Sequence, residues 1–504
     1  MVQIRNLTVR YPRSAAPALR DLSFEIDSGR LVLLLGPSGS GKSTLARSLA
    51  GLIPHSVYAQ VEGEVVVDGV HPLMDGPAAS AHRVGLLFQD PEAGFATLTV
   101  EDEIAFGLEN LRLPRSRMPA RIRTALAATG QTELLRRPLH SLSAGEAQGV
   151  ALAALLAMDP AVLVLDEPTA HLDPASTREF FARLSRLKRT RTILLIEHKL
   201  DSCLRLADRL VLLDSDGSLL ASGEPKQVFA RNRKRILATG TWLPRSLEPP
   251  ARRRTDRGAA PRPGRAVPAV SVRRLTFAYP GGPQVLRRLD LDIPAGAFVA
   301  LVGPNASGKS TLARLLIGLL PRPGASTIQL FGRDLESLTA REMARQVGFV
   351  FQNPEHQFLR ETVREELAYS LEVRRTTVDQ RPREVERLLE RFDLRGLEDR
   401  NPFTLSQGEK RRLSVAEMLA AGQQLLILDE PTFGQDRKST YALMDSLADR
   451  NREGVTIIVI THDMRFVQRY ADTAAVLLGG KIAFQGTPQS LFRQARLARK
   501  ARLT

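Results

Sequence analysis

Short, unbroken apolar runs punctuate this chain at intervals too wide for one sheet-only design. Leu31-Val32-Leu33-Leu34-Leu35, Ala161-Val162-Leu163-Val164-Leu165 and Thr192-Ile193-Leu194-Leu195-Ile196 mark the first half. Phe298-Val299-Ala300-Leu301-Val302, Leu425-Leu426-Ile427-Leu428 and Thr456-Ile457-Ile458-Val459-Ile460 mark the second. Runs of this length suit strands buried on both faces, as in parallel sheets. In each half, β-rich segments come first and a helical stretch separates the first apolar run from the later ones. That alternation predicts an α/β fold on a mostly parallel sheet. The longest apolar stretch, Val150 to Leu165, is cut by Asp159-Pro160 and falls short of the ~20 residues a membrane span needs. The first residues run straight into a strand-like alternation, so no secretory leader is expected.

The two halves repeat one another. Lys42 and Lys309 are 267 residues apart, Gln89 and Gln352 are 263 apart, and so are Ser143 and Ser406. Glu167 and Glu430 keep the 263 spacing, and His198 and His462 are 264 apart. Near-constant offsets mean two copies of one domain, and 504 residues are too many for a single core. The expected domains are 1–230 and 269–490, joined by a flexible basic linker at 231–268 and followed by a basic tail at 491–504. The linker is rich in Pro, Arg, Gly and Ala, and a coil of this length reaches roughly 30–35 Å, enough to let the halves meet. Of the net charge of +16, nine charges fall within 231–265 and five within 493–502, so both folded halves are near neutral. Basic segments of this kind fit solvation first and anionic lipid second, and no specific nucleic acid is expected. One cysteine, Cys203, excludes an intramolecular disulfide and agrees with a reducing compartment.

Chemistry enters directly after the first apolar run of each half. Gly36-Pro37-Ser38-Gly39-Ser40-Gly41-Lys42-Ser43-Thr44 and Gly303-Pro304-Asn305-Ala306-Ser307-Gly308-Lys309-Ser310-Thr311 both fit the phosphate-binding loop pattern. A strand feeding a helix N-terminus through glycines offers backbone N–H groups and a helix dipole to a triphosphate. Asp166-Glu167-Pro168-Thr169 and Asp429-Glu430-Pro431-Thr432 close later strands. Asp166 or Asp429 can hold Mg²⁺ with the hydroxyl of Ser43 or Ser310, and Glu167 or Glu430 can orient an attacking water. ATP and Mg²⁺ are the expected nucleotide and metal.

Leu142-Ser143-Ala144-Gly145-Glu146 and Leu405-Ser406-Gln407-Gly408-Glu409 resemble the signature of ATP-binding cassette ATPases, and their glutamates stand 20 residues before Asp166 and Asp429. The resemblance covers nearly the whole chain apart from linker and tail. It implies two tandem cassette domains, each with a mostly parallel core sheet, an antiparallel β subdomain and a helical subdomain. It makes Gln89 and Gln352 the Q-loop glutamines beside nucleotide and metal, His198 and His462 the switch histidines, and Asp173 and Asp436 the D-loop aspartates. Tyr11 and Tyr279 become the residues that stack on adenine. In the family, two cassettes sandwich two nucleotides head to tail. The resemblance therefore joins Lys42, Asp166, Glu167 and His198 with Ser406 and Gly408, and Lys309, Asp429, Glu430 and His462 with Ser143 and Gly145. Three departures stand out: Ala306 where the first copy has Gly39, signatures ending in Glu, and Ala147-Gln148-Gly149 where the second copy has Lys410-Arg411-Arg412.

Gln89-Asp90-Pro91-Glu92-Ala93-Gly94-Phe95 and Gln352-Asn353-Pro354-Glu355-His356-Gln357-Phe358 look like the run that follows the Q-loop glutamine in energy-coupling factor importers. The resemblance implies an ATP-hydrolysing subunit at the cytoplasmic face of the cell membrane, with both ATPases fused in one chain. Its partners would be an integral scaffold (T-type) subunit and a small substrate-binding (S-type) membrane subunit, and its cargo a vitamin, a vitamin precursor, or cobalt or nickel ions. Phe95, Phe358, Ile104 and Phe106 would face the scaffold or else pack within helices. Two other readings are weighed. A tandem cassette protein acting on ribosomes would carry a long charged helical hairpin between cassettes, which Pro249, Pro250, Pro261, Pro263 and Pro268 oppose. The fused ATPase of sugar importers is usually degenerate in one half, whereas both halves here keep their lysine, carboxylates and histidine.

Overall fold

Leu31–Leu35 is a strand buried along its whole length, in the interior of a six-stranded sheet. In this computed structural model, residues 1–504 are described except 13, 15, 171, 249–266, 323, 325, 375, 433 and 504. The sheet of the N-terminal unit runs in the order Val84–Leu87, Val162–Asp166, Thr192–Ile196, Leu31–Leu35, Arg209–Leu213, Leu219–Gly223. All neighbours pair in parallel except the last two strands. The C-terminal unit repeats that order with Val347–Val350, Leu425–Asp429, Thr456–Ile460, Phe298–Val302, Thr473–Leu478 and Lys481–Gly486. Register repeats as well: Leu31 lies opposite Ile193, and Phe298 opposite Ile457. The chain is thus an α/β protein of two tandem P-loop units, as expected.

Each unit adds an antiparallel sheet. In the first, Val2–Arg10 lies between Leu19–Ile26 and Gln60–Val67. Its inward residues change parity, from Val2 and Ile4 to Leu7 and Val9. A register shift between Ile4 and Leu7, with Asn6 at φ 50°, absorbs the extra residue. Val270–Ala278 does the same at Arg274, φ 49°. The helix Lys42–Leu49 is held between the two sheets: Leu45 and Leu49 share a buried cluster with Ile4, Phe24, Val32 and Leu194. The P-loop helix is therefore clamped by core packing, which fixes the direction of its N-terminus.

A helical subdomain of Val100–Asn110, Met118–Thr129 and Ala144–Met158 packs around Ile104, Leu126 and Val150. Its counterpart comprises Val363–Val373, Arg381–Arg391 and Gln407–Ala420. The first helix of each set is started by a threonine whose hydroxyl accepts a backbone N–H, Thr99 from Asp102 and Thr362 from Glu365. Among the described residues, no helix is long and apolar enough to cross a membrane.

Two boundaries depart from expectation. The basic segment expected to be a flexible linker begins as a helix, Pro225–Thr239, capped by the Glu224 carboxylate. Val228, Phe229 and Ile236 are buried on one of its faces, and Trp242 and Leu243 are buried after its end. The arginines between them hid an amphipathic period, because their charged heads sit outside while the apolar residues fall on one face. Residues 249–266 of the expected linker lie outside the described residues. The expected tail also folds: Pro488–Arg493 and Ala495–Lys500 are helices, with Leu491, Ala498, Ala501 and Leu503 buried.

Ile236→Ala should therefore lower the stability of the chain by about 2–4 kcal/mol, the usual cost of emptying a buried aliphatic position. Chemical denaturation would show it, and an unchanged midpoint would mean that the segment is unstructured.

Candidate functional site

The loop after Leu31–Leu35 must reverse the chain within a few residues and still approach the antiparallel sheet. Gly41 sits at φ 85°, and a Cβ there would lie 2.3 Å from the Ala18 carbonyl oxygen and 2.5 Å from Leu19 Cδ2. Gly39, at φ 79°, has nothing within 4 Å of such a Cβ. Its counterpart Ala306 occupies the same left-handed region at φ 58°. The departure at Ala306 is thus accommodated: the methyl group has room, and the backbone conformation carries the only cost, of order 1–2 kcal/mol. Ser38 and Asn305 belong to the same turns. Gly36 and Gly303 begin the loops, and Gly308, at φ 99°, ends the second.

Inside the loop, Lys42 Nζ donates to the carbonyls of Gly36 at 3.0 Å and Pro37 at 2.7 Å. Lys309 Nζ does so to Gly303 at 2.9 Å and Pro304 at 2.7 Å. Burial pushes the Lys42 amine below its usual pKa, against the opposing pull of Glu167 and Asp166. The tyrosines assigned to the base sit next door: Tyr11 and Thr44 hydroxyls are 3.1 Å apart, Tyr279 and Thr311 hydroxyls 3.2 Å.

Asp166 ends the strand Val162–Asp166, one strand removed from the P-loop strand. Burial, then the neighbouring Glu167, push its pKa up to about 6, while a hydrogen bond with Ser43 and the Lys42 charge pull it down. Asp429 is likewise raised by burial and held back by Ser310 and Lys309. Each half thus aligns a serine hydroxyl, a buried carboxylate and a lysine. A hydroxyl with a carboxylate is the oxygen donor set that suits Mg²⁺, and a cation would relieve the cost of ionising a buried carboxyl. Among the described residues, no group of three or more His, Cys, Asp and Glu side chains is disposed to hold a metal ion by itself.

Glu167 and Glu430 follow in the left-handed region, φ 49° and 48°, which non-glycine residues seldom adopt and which concentrates at functional sites. Gln89 Nε2 donates to Glu167 Oε2 at 3.0 Å, and His198 Nε2 lies 2.9 Å from Glu167 Oε1. Burial works against a charged His198, but the Glu167 charge and hydrogen bond prevail and raise its pKa. In the C-terminal unit His462 Nε2 stands 3.5 Å from Glu430 Oε1. A strained carboxylate beside a histidine and an amide, next to a lysine-filled loop, can orient water for attack on a phosphate.

Ser143 and Ser406 lie apart from these groups in their contacts. Each caps its own helix: Glu146 accepts from the Ser143 backbone N–H at 2.7 Å, and Glu409 from that of Ser406 at 2.8 Å. The serine hydroxyls accept the glutamate N–H in return. The glutamate ending each signature is thereby explained as the far member of a capping box. At Gly145 an added Cβ would crowd Leu172 Cδ2 at 3.3 Å, and Gly408 is buried. Asp173 starts the helix Pro174–Leu187 by accepting from the Ser176 N–H, and Asp436 is buried before Arg437–Arg452.

Sequence reasoning passed over Glu197, the residue before His198. It is fully buried and takes a hydrogen bond from the Thr169 hydroxyl, joining the turn after Glu167 to the histidine segment. Lys199 Nζ donates to the carbonyls of Thr169 and Leu172 at 2.6 and 2.7 Å. The signal was present as an acid closing an apolar strand where the second copy has Thr461. Burial pushes Glu197 up to about 7, with Lys199 and the Thr169 hydrogen bond opposing.

A family model described as "ABC transporter" matches residues 19–170 and again 286–433. The chain is 38% identical over 528 aligned residues to "Putative HMP/thiamine import ATP-binding protein YkoD" of Bacillus subtilis, covering 100% of this chain and 95% of that protein. A Methanosarcina mazei protein, "Putative ABC transporter ATP-binding protein", is 34% identical over 98% of this chain and 90% of its own length. Among solved structures, a chain of "Model of ribosome-bound archaeal Pelota and ABCE1" aligns with TM-score 0.66 over 94% of this chain and 77% of that one. At 21% identity this likeness shows the fold alone.

Two predictions follow from the site's geometry. Gly39→Ala should keep nucleotide affinity within about threefold, since the added carbon meets nothing and the backbone strain of order 1–2 kcal/mol falls on the free and the loaded loop alike. Gly41→Ala should weaken it more than tenfold because the loop cannot close around the added carbon; titration calorimetry distinguishes the two. For Glu197, the folded state holds a proton that the unfolded state releases near the ordinary carboxyl range. Stability therefore falls as pH rises from about 4.5 toward 7. Relative to Glu197→Gln, the unaltered chain should lose stability between pH 5 and 8, by at most a few kcal/mol. Parallel denaturation curves across that range would count against a buried, titrating carboxylate.

Proposed function

The chain belongs to the ABC transporter family of ATPases, and from that premise we propose that it is the energising subunit of an importer of the energy-coupling factor type. The observation that carries this reading is the pair of runs Gln89–Phe95 and Gln352–Phe358, alongside full-length similarity to a relative named for HMP/thiamine import. That name favours a vitamin or vitamin precursor as cargo over a metal ion. The partners would be an integral scaffold subunit and a small substrate-binding membrane subunit, with this chain at the cytoplasmic face.

Surface chemistry beside the runs supports a docked partner. Leu98 and Leu359 are 81% and 67% exposed, and Phe106 and Phe403 about half exposed. Large apolar side chains left exposed beside these runs in each half fit an interaction site. Of the four residues first assigned to that contact, only Phe106 is exposed. Ile104 and Phe358 are buried, and Phe95 packs on the helical core. Phe358 meets the exposed Phe403 edge-on, ring centroids 5.8 Å apart.

ATP would bind at each P-loop, with Lys42 or Lys309 on its phosphates and the adenine on Tyr11 or Tyr279. Mg²⁺, held by Ser43, Asp166 and Gln89 or by Ser310, Asp429 and Gln352, would neutralise phosphate charge. Glu167 and Glu430 would orient the attacking water, with His198 and His462 holding each glutamate's position. Following the family resemblance, each P-loop would be completed by the other half's signature, Ser406 with Gly408 or Ser143 with Gly145.

Purification from detergent-solubilised membranes should bring down a multi-span integral protein and a second small membrane protein, identified by mass spectrometry. Recovery of ribosomal proteins in their place would overturn the importer reading. Because both halves keep every reacting group, Glu167→Gln and Glu430→Gln should each leave partial ATPase activity. The double substitution should lower turnover at least about a hundredfold, consistent with losing a general base. Total loss in one single variant with no effect in the other would contradict two working sites.

A further inference from the structure

In the C-terminal unit, the segment after the Q-loop glutamine is bolted to the signature helix Gln407–Ala420. Arg411 Nη1 donates to the Phe351 carbonyl at 2.5 Å, and its Nη2 donates to that of Gln352. Lys410 Nζ reaches Glu355 Oε1 at 2.5 Å. Gln357 donates to the Ser414 carbonyl at 2.9 Å and to Glu417 at 2.7 Å, and accepts from the Ser414 hydroxyl at 2.8 Å. Arg411 is fully buried. Burial pushes it down to about 10, with Asp429 and Glu430 pulling back, so it stays charged at neutral pH.

The helix side chains that make these contacts, and Gln357, are all absent from the matching positions of the first copy, although Glu92 stands where the second copy has Glu355. Arg411 is replaced by Gln148, Lys410 by Ala147, Gln357 by Gly94, Ser414 by Ala151 and Glu417 by Ala154. The buried Gln148 Nε2 has no hydrogen-bond partner among the described residues. Five coordinated replacements remove the tether while Gln89, Gln352 and the catalytic carboxylates are kept in both halves. The two segments thus share a chemistry and differ in their mechanical attachment.

We propose that Arg411 is a positioning residue that makes the segment Gln352–Phe358 one body with its signature helix, and that the N-terminal half lacks this coupling. A push on 352–358 would then move the helix that carries Ser406. A push on 89–95 would be absorbed locally before reaching Ser143. The halves would transmit a partner's movement unequally although both can turn over ATP. The tether belongs to the chain itself, so the inference stands or falls separately from the identity of any membrane partner.

Hydrogen–deuterium exchange on the full chain, read by mass spectrometry, tests it. Amides in 351–358 should be protected at least tenfold more than those in 88–95. Arg411→Gln, which installs the residue of the first copy, should abolish that difference by accelerating 351–358 and leave 88–95 unchanged. Gln357→Gly, which installs the residue of the first copy, removes the second tether while leaving Arg411 on its carbonyls, and should accelerate 351–358 severalfold even if Arg411→Gln fails to fold. In ATPase assays Arg411→Gln should lower kcat severalfold with KM for ATP within twofold, and Arg411→Lys should restore part of the loss. Equal protection of the two segments in the unaltered chain, or no acceleration in Gln357→Gly, would overturn the proposal.

Discussion

Charge buried at one edge of a sheet is the constraint around which each half is organised. Lys42, Asp166 and Glu197 are almost wholly removed from water, as are Lys309 and Asp429. Groups of this kind cost several kcal/mol each unless neighbours compensate. The strand order supplies the compensation: Leu31–Leu35, Val162–Asp166 and Thr192–Ile196 are close neighbours in one parallel sheet, so their C-terminal ends deliver lysine, carboxylates and histidine to one place. The glycine loop then wraps the amine with carbonyl oxygens. Had the strands been antiparallel, those ends would have pointed apart.

The same constraint explains why departures between the copies are confined to certain places. Ala306 replaces Gly39 where the added carbon meets nothing, whereas Gly41, pressed on Ala18, has glycine in both copies. Glu197 replaces Thr461 where a lysine and a threonine hydroxyl partly offset the cost of burying the carboxyl. Gln148 replaces Arg411 on the signature helix, where the arginine holds the Phe351 and Gln352 carbonyls. Variation has entered the mechanical connections and spared Lys42, Asp166, Glu167 and His198, which recur as Lys309, Asp429, Glu430 and His462.

Much of this was legible in residue order. Unbroken apolar runs marked six of the buried strands to within a residue, because a strand covered on both faces admits few polar positions. Glycine spacing marked the loops, because only certain turns bring N–H groups together ahead of a helix. The arginine-rich segment after 231 misled for the opposite reason. Its composition reads as solvated coil, while Phe229, Ile236 and Trp242 are too sparse to announce a buried face. Exposed Phe106 and buried Phe358 were likewise indistinguishable until their neighbours were placed.

The sequence by itself determined the fold class and the duplication and pointed to the candidate reacting groups, since these rest on local periodicity and on chemistry confined to short motifs. Tertiary structure alone decided which of those groups touch. The Gln89–Glu167–His198 cluster, the Glu197–Thr169 link and the Arg411 tether all join residues far apart in the chain. Such contacts depend on strand order and helix placement. Those arise from the packing of the whole core, and no single segment encodes them.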